Sequence, residues 1–315
     1  MAPSIRDVEQ NGSPVIGLVC TGIRPEEKLL AAAFEARGAE LRIADDRRIY
    51  GNLAEWPTGL PECDVVLLRS KSQRRNALLA RWIEGLGGLA VNSSAVFETC
   101  SDKARTTIAL ITEGVPTLSA AVSLAPEAGL QAAEIVGYPA VIKPVIGSWG
   151  RLIGKVNDGD ALELALEHKA ALGGAAHTVT YIQPFLETGG SDIRSFVVDG
   201  RCVAAITRTS GHWKTNTALG AKAVGREVDA TLAQVSEAAA AAVGGGIVAV
   251  DLFERSEGYV VNEVNGTMEF RNSVEPTGVD IPRLVADAVI ERATASRAGS
   301  VPRDGRPSDG SGGGV

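Results

Sequence analysis

The chain has 315 residues, of which 45% are hydrophobic and 22% charged, so it is long enough to bury a core in more than one domain. A net charge of −7 without a block of Lys/Arg argues against nucleic-acid binding, and no apolar stretch reaches the ~20 residues of a membrane helix. Four scattered cysteines without a CxxC pair argue against a zinc site or a disulfide scaffold and fit a reducing cytoplasm.

The first part of the chain predicts a disordered segment at 1–14, without the apolar region of a signal peptide, and then a small α/β domain at 15–95. Its predicted elements are a strand at 15–20, a helix at 26–38, strands at 39–45 and 63–70, and a helix at 76–88. Because strands alternate with helices, we expect the strands to form a parallel sheet.

The rest of the chain predicts two α+β subdomains, at 96–180 and 181–296, followed by a Gly/Ser/Pro-rich disordered tail at 297–315. Their predicted elements are a helix capped by Ser101 or Asp102, a strand–loop–strand unit at 138–156, a helix at 160–172, a strand at 179–186, a hairpin at 192–210, a strand pair at 246–265, and helices at 230–243 and 281–294.

Oxygen-bearing side chains interrupt the apolar strand pair at 246–265. A turn near 256–258 would place Asp251 beside Glu263, and Glu263 shares a face with Asn265 because side chains alternate along a strand. Two carboxylates and an amide oxygen predict a Mg²⁺ site that leaves positions for water and phosphate. The alternative is a solvated hairpin face, against which the apolar flanking residues argue.

A glycine-rich turn in the strand–loop–strand unit is a second candidate site. Lys143 follows an apolar strand, so we expect its ammonium group near a buried cleft. Backbone N–H groups of the turn suit polyphosphate oxygens, although an ordinary hairpin loop is the alternative. The turn consists of Gly147, Ser148, Trp149 and Gly150.

Three further polar groups have both a functional and an ordinary interpretation. Lys103 opens a helix, where a surface lysine is the alternative. Asp192 and Arg194 share a strand face. The guanidinium group of Arg194 could bind a phosphate or carboxylate through two parallel N–H bonds, or it could form a cross-strand ion pair. The turn with Lys214, Asn216 and Thr217 could cover a ligand or be a plain loop.

The order of these motifs resembles the ATP-grasp superfamily over about residues 15–295. The motifs are DK, VIKP with GSWGR, QPF, DIR, TN, and D followed by NEVN. Within the superfamily, the stretches WKTNTALGAK and NEVNGTMEFRNSVEPTGVDIP most resemble ligases that join an amino acid to an amino-group carrier protein in lysine and arginine biosynthesis. Ribosomal-protein glutamate ligases are a neighbouring group. The resemblance implies an N-terminal α/β domain and two α+β subdomains that clasp ATP.

The resemblance also implies roles for individual positions. Arg194, Lys214 and Asn216 would contact phosphates or substrate during catalysis, Thr217 would contact substrate, and Asp251, Glu263 and Asn265 would hold Mg²⁺. ATP would be bound by Lys103, Lys143, Gly147, Ser148, Trp149, Gly150, Asp192 and an adenine hinge at Gln183, Pro184 and Phe185; relatives often have an acidic residue at the Pro184 position.

Two residues after the MEF motif bear on the amino acid that is ligated. Glutamate-type relatives tend to carry Gly-Phe where this chain has Asn272 and Ser273, whereas aminoadipate-type relatives carry Asn and a small residue. The resemblance therefore favours the aminoadipate type, in lysine or specialised amino-acid biosynthesis, with Asn272 and Ser273 contacting the substrate.

The implied activity is ATP-dependent ligation of the amino acid's α-amino group to the C-terminal Glu side chain of a carrier protein, through an acyl phosphate. Expected partners are a small acidic carrier and further copies of the chain, as a dimer or tetramer. Alternatives are a glutamate ligase acting on a protein or peptide C-terminus and a catalytically inactive ATP-binding regulator. A basic surface that could receive the carrier, or simply be solvated, comprises Arg47, Arg48, Arg69, Lys71, Arg74 and Arg75.

Overall fold

The computed structural model describes residues 12–147, 152–171, 173, 178–213 and 221–299. These residues form three sheets, and the predicted combination of α/β and α+β units is confirmed. No helix among them is both long enough and apolar enough to cross a membrane.

The first sheet is parallel, with strand order β2-β1-β3-β4. Its elements are β1 (Val15–Cys20), α1 (Pro25–Ala36), β2 (Glu40–Asp45), β3 (Val65–Arg69), α2 (Gln73–Gly85) and β4 (Ala90–Val91). Pro25 starts α1 because its fixed φ suits the first helical turn, and Ser72 caps α2 by accepting the Arg75 N–H. Because β1 and β3 are parallel neighbours, the residues at their carboxyl ends meet at one edge of the sheet.

The second sheet is antiparallel, with order β5-β8-β6-β7. Its elements and the preceding helices are α3 (Ser94–Ser101), α4 (Lys103–Thr112), β5 (Ala121–Ser123), α5 (Gly129–Val136), β6 (Ala140–Pro144), β7 (Gly154–Val156), α6 (Gly159–Ala171) and β8 (Thr180–Pro184). Asp102 caps α4 by accepting the Arg105 N–H, which confirms one of the two predicted caps and places Lys103 in the first turn.

The third sheet is antiparallel, with order β11-β10-β9-β12-β13. Its elements are β9 (Ser191–Val198), β10 (Arg201–Thr209), β11 (Lys222–Arg226), α7 (Ala230–Ala242), β12 (Ile247–Arg255), β13 (Gly258–Asn265), α8 (Arg271–Thr277) and α9 (Ile281–Gly299). The predicted hairpin turn between β9 and β10 is confirmed, with positive φ of 46° at Asp199 and 78° at Gly200.

The structure also contains elements that the sequence does not predict. The helices α5 and α8 lack the usual signals, since α5 has no side-chain cap and α8 contains Pro276. The strands β5 and β11 are short edge strands. In addition, α9 continues to Gly299, past the predicted start of the tail at 297.

The largest apolar core joins the first sheet to the third. Leu18 and Phe34 of the first unit pack in the same cluster as Phe196 of β9 and Val289 of α9. The side chain of Asn92 adds hydrogen bonds across this junction, since it donates to two backbone carbonyls and accepts the Ile247 N–H. A separate cluster fills the second sheet and its helices.

Candidate active site

A cavity of about 900 Å³ lies where the three sheets meet. The residues on its walls come from all three units and carry most of the predicted chemistry. They include Arg24 and Ser70 of the first unit, Lys103, Lys143 and Gln183 of the second, and Asp192, Arg194, Asp251, Glu263 and Asn265 of the third.

Four charged residues on three adjacent strands form a chain of ion pairs, here called the sheet network: Asp192, Arg194, Arg208 and Asp251. Arg194 donates through Nε and Nη2 to the two oxygens of Asp251, at 2.7 and 2.8 Å. Arg208 donates through Nε to Asp192 at 2.7 Å, and its Nη2 lies 3.2 Å from Asp251 Oδ1. The strand register causes this arrangement, because Arg194 is the β9 partner of Asp251 and Arg208 is the β10 partner of Asp192.

Asp251 is more strongly engaged than the open metal ligand that the sequence predicts. Burial raises the pKa of Asp251, but the guanidinium groups of Arg194 and Arg208 outweigh that effect and hold the pKa below its ordinary value. The Nδ2 atom of Asn265 also lies 3.4 Å from Asp251 Oδ2. The carboxylate is therefore ionised, and both its oxygens already have donors.

Glu263 lies beside Asp251, as the hairpin predicts, because the two residues are register partners on β13 and β12. Its side chain is 31% exposed, whereas that of Asp251 is 7% exposed. Lys103 Nζ lies 3.4 Å from Glu263 Oε1 and donates to the Gly147 carbonyl at 2.7 Å. Glu263 is thus more accessible than Asp251.

The oxygen atoms of Asp251, Glu263 and Asn265 fit a Mg²⁺ ion, although together they do not surround it completely. Among the described residues, no group of three or more His, Cys, Asp or Glu is suited to hold a metal. An ion here would use Asp251, Glu263, the amide oxygen of Asn265 and oxygens from outside the protein, which is a common Mg²⁺ arrangement. Its binding requires Arg194 to share the Asp251 carboxylate.

Lys143 lies at the inner wall of the cavity with uncharged hydrogen-bond partners. Its Nζ donates to Gln183 Oε1 at 2.7 Å and to Asn262 Oδ1 at 3.2 Å. Gln183 in turn donates to the hydroxyl of Tyr181, which contacts Thr107. The pKa of Lys143 is lowered to about 8, chiefly by burial and also by the nearby charge of Lys103, while Glu263 and Asp251 act in the opposite direction.

The predicted adenine hinge lies on the same wall, at the end of β8. The Gln183 side chain is buried and faces Lys143, so its remaining capacity for a base is limited. Pro184 has no N–H, and the Phe185 N–H is donated to the Pro139 carbonyl at 2.8 Å. Lys155 Nζ lies 3.7 Å above the centre of the Phe185 ring, which lines the cavity.

A second chain of ion pairs, here called the interdomain network, comprises Arg24, Glu27, Arg69 and Glu269, of which Arg24 and Glu269 line the cavity. Glu27 accepts from Arg24 Nη2 at 2.7 Å and from Arg69 Nε at 2.8 Å. Arg24 Nη1 also donates to Glu269 at 2.6 Å, so the network joins α1 and β3 to the segment before α8.

Asn272 and Ser273 also line the cavity. Both lie in the first turn of α8, with Asn272 exposed and Ser273 buried. Six other candidates fall outside the described residues: Ser148, Trp149, Gly150, Lys214, Asn216 and Thr217.

The predicted basic surface for a carrier needs correction at Arg69. Its side chain is 5% exposed and is held by Glu27 and the Met268 carbonyl, so it belongs to the interior. Arg47 and Arg75 are exposed but pair with Asp45 and Asp46. Arg48, Lys71 and Arg74 are also exposed, and Lys71 lines the cavity.

Sequence reasoning missed Arg208, Arg24, Glu27 and Glu269. A signal for Arg208 was present, since it faces Asp192 across the predicted hairpin turn. The interdomain network gave no comparable signal, because Arg24 and Glu269 are separated by 245 positions.

The fold and the cavity agree with a known class of enzymes. Residues 100–289 match the RimK-like ATP-grasp domain, and residues 16–99 match the LysX preATP-grasp domain. The chain therefore belongs to the RimK-like family of ATP-grasp ligases. Enzymes of this family use ATP, typically with Mg²⁺, and typically form an amide bond with release of ADP.

Among curated relatives, the chain is similar to two ligases of Sulfurisphaera tokodaii. Glutamate–LysW ligase ArgX is 31% identical over 87% of this chain and 97% of its own length. Alpha-aminoadipate–LysW ligase LysX is 32% identical over 88% of this chain and 98% of its own length. A crystal structure of a RimK domain ATP-grasp protein from Sphaerobacter thermophilus has a TM-score of 0.73 and 28% identity, covering 87% of this chain and 98% of that one.

Proposed function

We propose that this ligase joins the α-amino group of an aminoadipate-like amino acid to the C-terminal Glu side chain of a small acidic amino-group carrier protein. The observation that carries the proposal is the near full-length similarity to ligases named for LysW, in both their glutamate and aminoadipate forms. Asn272 and Ser273, which line the cavity, favour the aminoadipate form by their resemblance to that type.

The reaction requires a carboxylate to be phosphorylated by ATP and the resulting acyl phosphate to be attacked by an amine. Lys103, Lys143 and Arg194 offset phosphate charge in the cavity, and Asp251, Glu263 and Asn265 hold Mg²⁺. Mg²⁺ supplies further charge neutralisation at the phosphates when it is bound. The protein contributes positioning, electrostatic stabilisation and exclusion of water, and needs no covalent nucleophile of its own.

The sheet network supports a role for Arg194 in receiving the phosphates. Among the described residues, Arg194 is paired with Asp251 alone, whereas Arg208 contacts both Asp192 and Asp251. Arg194 would be the guanidinium group that contacts the transferring phosphoryl group, and Mg²⁺ would supply positive charge beside Asp251 when bound. Arg208 stays anchored by Asp192 on the neighbouring strand.

The expected mode of carrier binding follows from the exposed Arg48, Lys71 and Arg74. Lys71 lines the cavity, Arg48 and Arg74 are exposed, and all three cations suit an acidic partner. We propose that the carrier's C-terminal Glu enters the cavity from this side. The ligase is also proposed to work in the cytoplasm and as a dimer or tetramer.

The test is an ADP-release assay with MgATP across amino acids, with and without purified candidate carrier. We expect release to need both the carrier and aminoadipate. Activity with a free amino acid and no protein acceptor would contradict the carrier assignment. Equal or greater activity with glutamate would support the second candidate, glutamate ligation, which the ArgX relative favours.

The metal assignment is tested separately by Glu263→Ala. We expect turnover to fall roughly 10³-fold or more while the protein stays folded, because a Mg²⁺ ligand next to the phosphates is lost. The matched control is Glu257→Ala, which removes a 75% exposed carboxylate from the turn of the same hairpin. Retained activity in Glu263→Ala would exclude a metal role for Glu263.

A further inference from the structure

Glu269 is a carboxylate on the cavity wall to which the proposed ligation has so far given no role. Its side chain is 26% exposed and, among the described residues, receives one hydrogen bond, from Arg24 Nη1 at 2.6 Å. Arg24 divides its charge, because its Nε and Nη2 donate to Glu27. Glu269 is therefore held in position, but its charge is only partly neutralised.

A second carboxylate adds to the negative charge beside Glu269. Glu26 is 3% exposed, lines the cavity, and has Arg271 Nε 3.9 Å away. Burial raises the pKa of Glu269, and Glu26 raises it further, while Arg69 and Arg24 act in the opposite direction without cancelling the rise. Glu269 therefore accepts a proton more readily than an ordinary carboxylate.

Two sets of charged residues on the cavity wall suit different substrate groups. Lys103, Lys143 and Arg194 suit phosphate groups, with Asp251 and Glu263 beside them. Glu26 and Glu269 suit a cation, and Glu269 precedes the cavity-lining Asn272 and Ser273 by three and four positions. The amine substrate arrives as an ammonium ion and must lose a proton before its lone pair can attack.

We propose that Glu269, held by Arg24, binds the α-ammonium group of the incoming amino acid and removes a proton from it before amide formation. This inference rests on the proposed ligase function and assigns the amine to the part of the same cavity that Glu269 lines. Glu26 adds negative potential beside the ammonium. Arg24 is a positioning residue, because it acts through Glu269.

The step balances as follows. One proton of the ammonium passes to the Glu269 carboxylate, which gives a neutral amine and a carboxylic acid. The nitrogen lone pair then forms a bond to the acyl carbon, and the bond from that carbon to the phosphate oxygen breaks. The second proton on nitrogen leaves with the phosphate as hydrogen phosphate, and Glu269 later returns its proton to solvent.

The test uses Glu269→Gln, which keeps the shape of the side chain but cannot take the proton. Full-length enzyme is assayed with MgATP and carrier, once with aminoadipate and once with hydroxylamine as the amine. Hydroxylamine is uncharged near neutral pH and traps the acyl phosphate without needing a proton acceptor. We expect hydroxamate formation within about twofold of wild type, and ligation of aminoadipate reduced roughly 10²-fold to 10⁴-fold.

A pH profile gives a readout that a structural role would not move. In the wild type, ligation should decline as the pH falls through the raised pKa of Glu269, whereas hydroxamate formation, expressed per concentration of unprotonated hydroxylamine, should not follow that decline. The matched control is Glu275→Gln, which removes an exposed carboxylate from the neighbouring helix and should leave both reactions unchanged.

The outcomes are separable. Full ligation activity in Glu269→Gln, or an equal loss of both reactions, would overturn the role of Glu269. Failure of the wild type to form any hydroxamate would instead contradict the acyl-phosphate route of the proposed function. Arg24→Gln should show the same selective loss of ligation in weaker form, and an unchanged ligation rate there would remove Arg24 as the positioning residue.

Discussion

The two ion-pair networks of the cavity are built in different ways. The sheet network lies on neighbouring strands of one sheet, and strand register aligns its pairs. The interdomain network depends on packing of the first unit, since Glu27 and Arg69 are 42 positions apart and Arg24 and Glu269 are 245 apart. Register fixes the first network as soon as the sheet forms, whereas the Arg24–Glu269 link of the second exists only after the units have docked. Mutations in the two networks should therefore have different consequences.

The largest effect is expected from Asp251→Ala in the sheet network. The change removes a proposed Mg²⁺ ligand and leaves the guanidinium groups of Arg194 and Arg208 without their shared acceptor. Turnover should fall roughly 10³-fold or more, and the free energy of unfolding should drop by about 3–5 kcal/mol. ADP release and urea unfolding measure the two quantities.

Glu254→Ala is the control on the same strand. Glu254 is 56% exposed and pairs with Arg226 at the surface, so its loss should cost less than about 1 kcal/mol and leave turnover intact. Similar stability losses in the two variants would show that burial of the sheet network adds nothing.

The next largest effect is expected from Glu27→Gln in the interdomain network. Glu27 is fully buried and accepts hydrogen bonds from both Arg24 and Arg69. The Nη2 atom of Arg69 already has no hydrogen-bond partner among the described residues. Neutralising Glu27 should lower the free energy of unfolding by about 3–5 kcal/mol, because buried cations lose their counter-charge. Urea unfolding measures the loss, and Glu35→Gln on the exposed face of the same helix is the control.

The pH dependence of this stability has a definite sign. Burial raises the pKa of Glu27, but its bonds with Arg24 and Arg69 outweigh burial and leave the pKa below the ordinary value of 4.5. The stability that Glu27 contributes is present above that ordinary value and is lost as the pH falls through the lower, folded pKa. A variant that matches the wild type at neutral pH would contradict this account.

The smallest effect concerns Lys143, which belongs to neither network. Its pKa of about 8 means that free enzyme loses this charge between pH 7 and 9, well below the range of an ordinary lysine. If only the charged form binds ATP phosphates, nucleotide affinity at pH 9 should be about 10-fold weaker than at pH 7. Binding should take up a proton, which calorimetry in buffers of different ionisation enthalpy detects.

Lys143→Met is the matching control for the pH effect. It should bind nucleotide weakly at both pH values and show no dependence in this range. A wild-type affinity that is constant from pH 7 to pH 9 would mean that Lys143 keeps its charge or does not contact the phosphates.

Much of the fold and part of the site could be predicted because the relevant signals are local. The turn near 256–258 placed Glu263 beside Asp251, period-two alternation put Glu263 and Asn265 on one face, and a cap at Asp102 placed Lys103 at the start of a helix. What alternation cannot show is which side chains a neighbouring strand supplies, so Asp251 was expected to be open although it accepts from two arginines.

The interdomain network, where we propose that the amine binds, could not be predicted for a further reason. Arg69 read as a surface cation because its neighbours Lys71 and Arg74 are charged, yet it ends a buried strand and is paired within the interior. Sequence gives no measure of this burial, since it depends on how the segment around Met268 packs over β3. Contacts between distant segments thus decide this part of the site.

The apolar core shared by the first and third sheets has a consequence for how the chain can be divided. A cut near residue 95 separates two recognisable sequence regions, but it would split one continuous set of buried side chains that includes Phe34 and Val289. Each fragment would expose a large apolar surface and would precipitate or bind a chaperone instead of folding independently. A genetic fusion or permutation of this ligase should keep both halves in a single polypeptide.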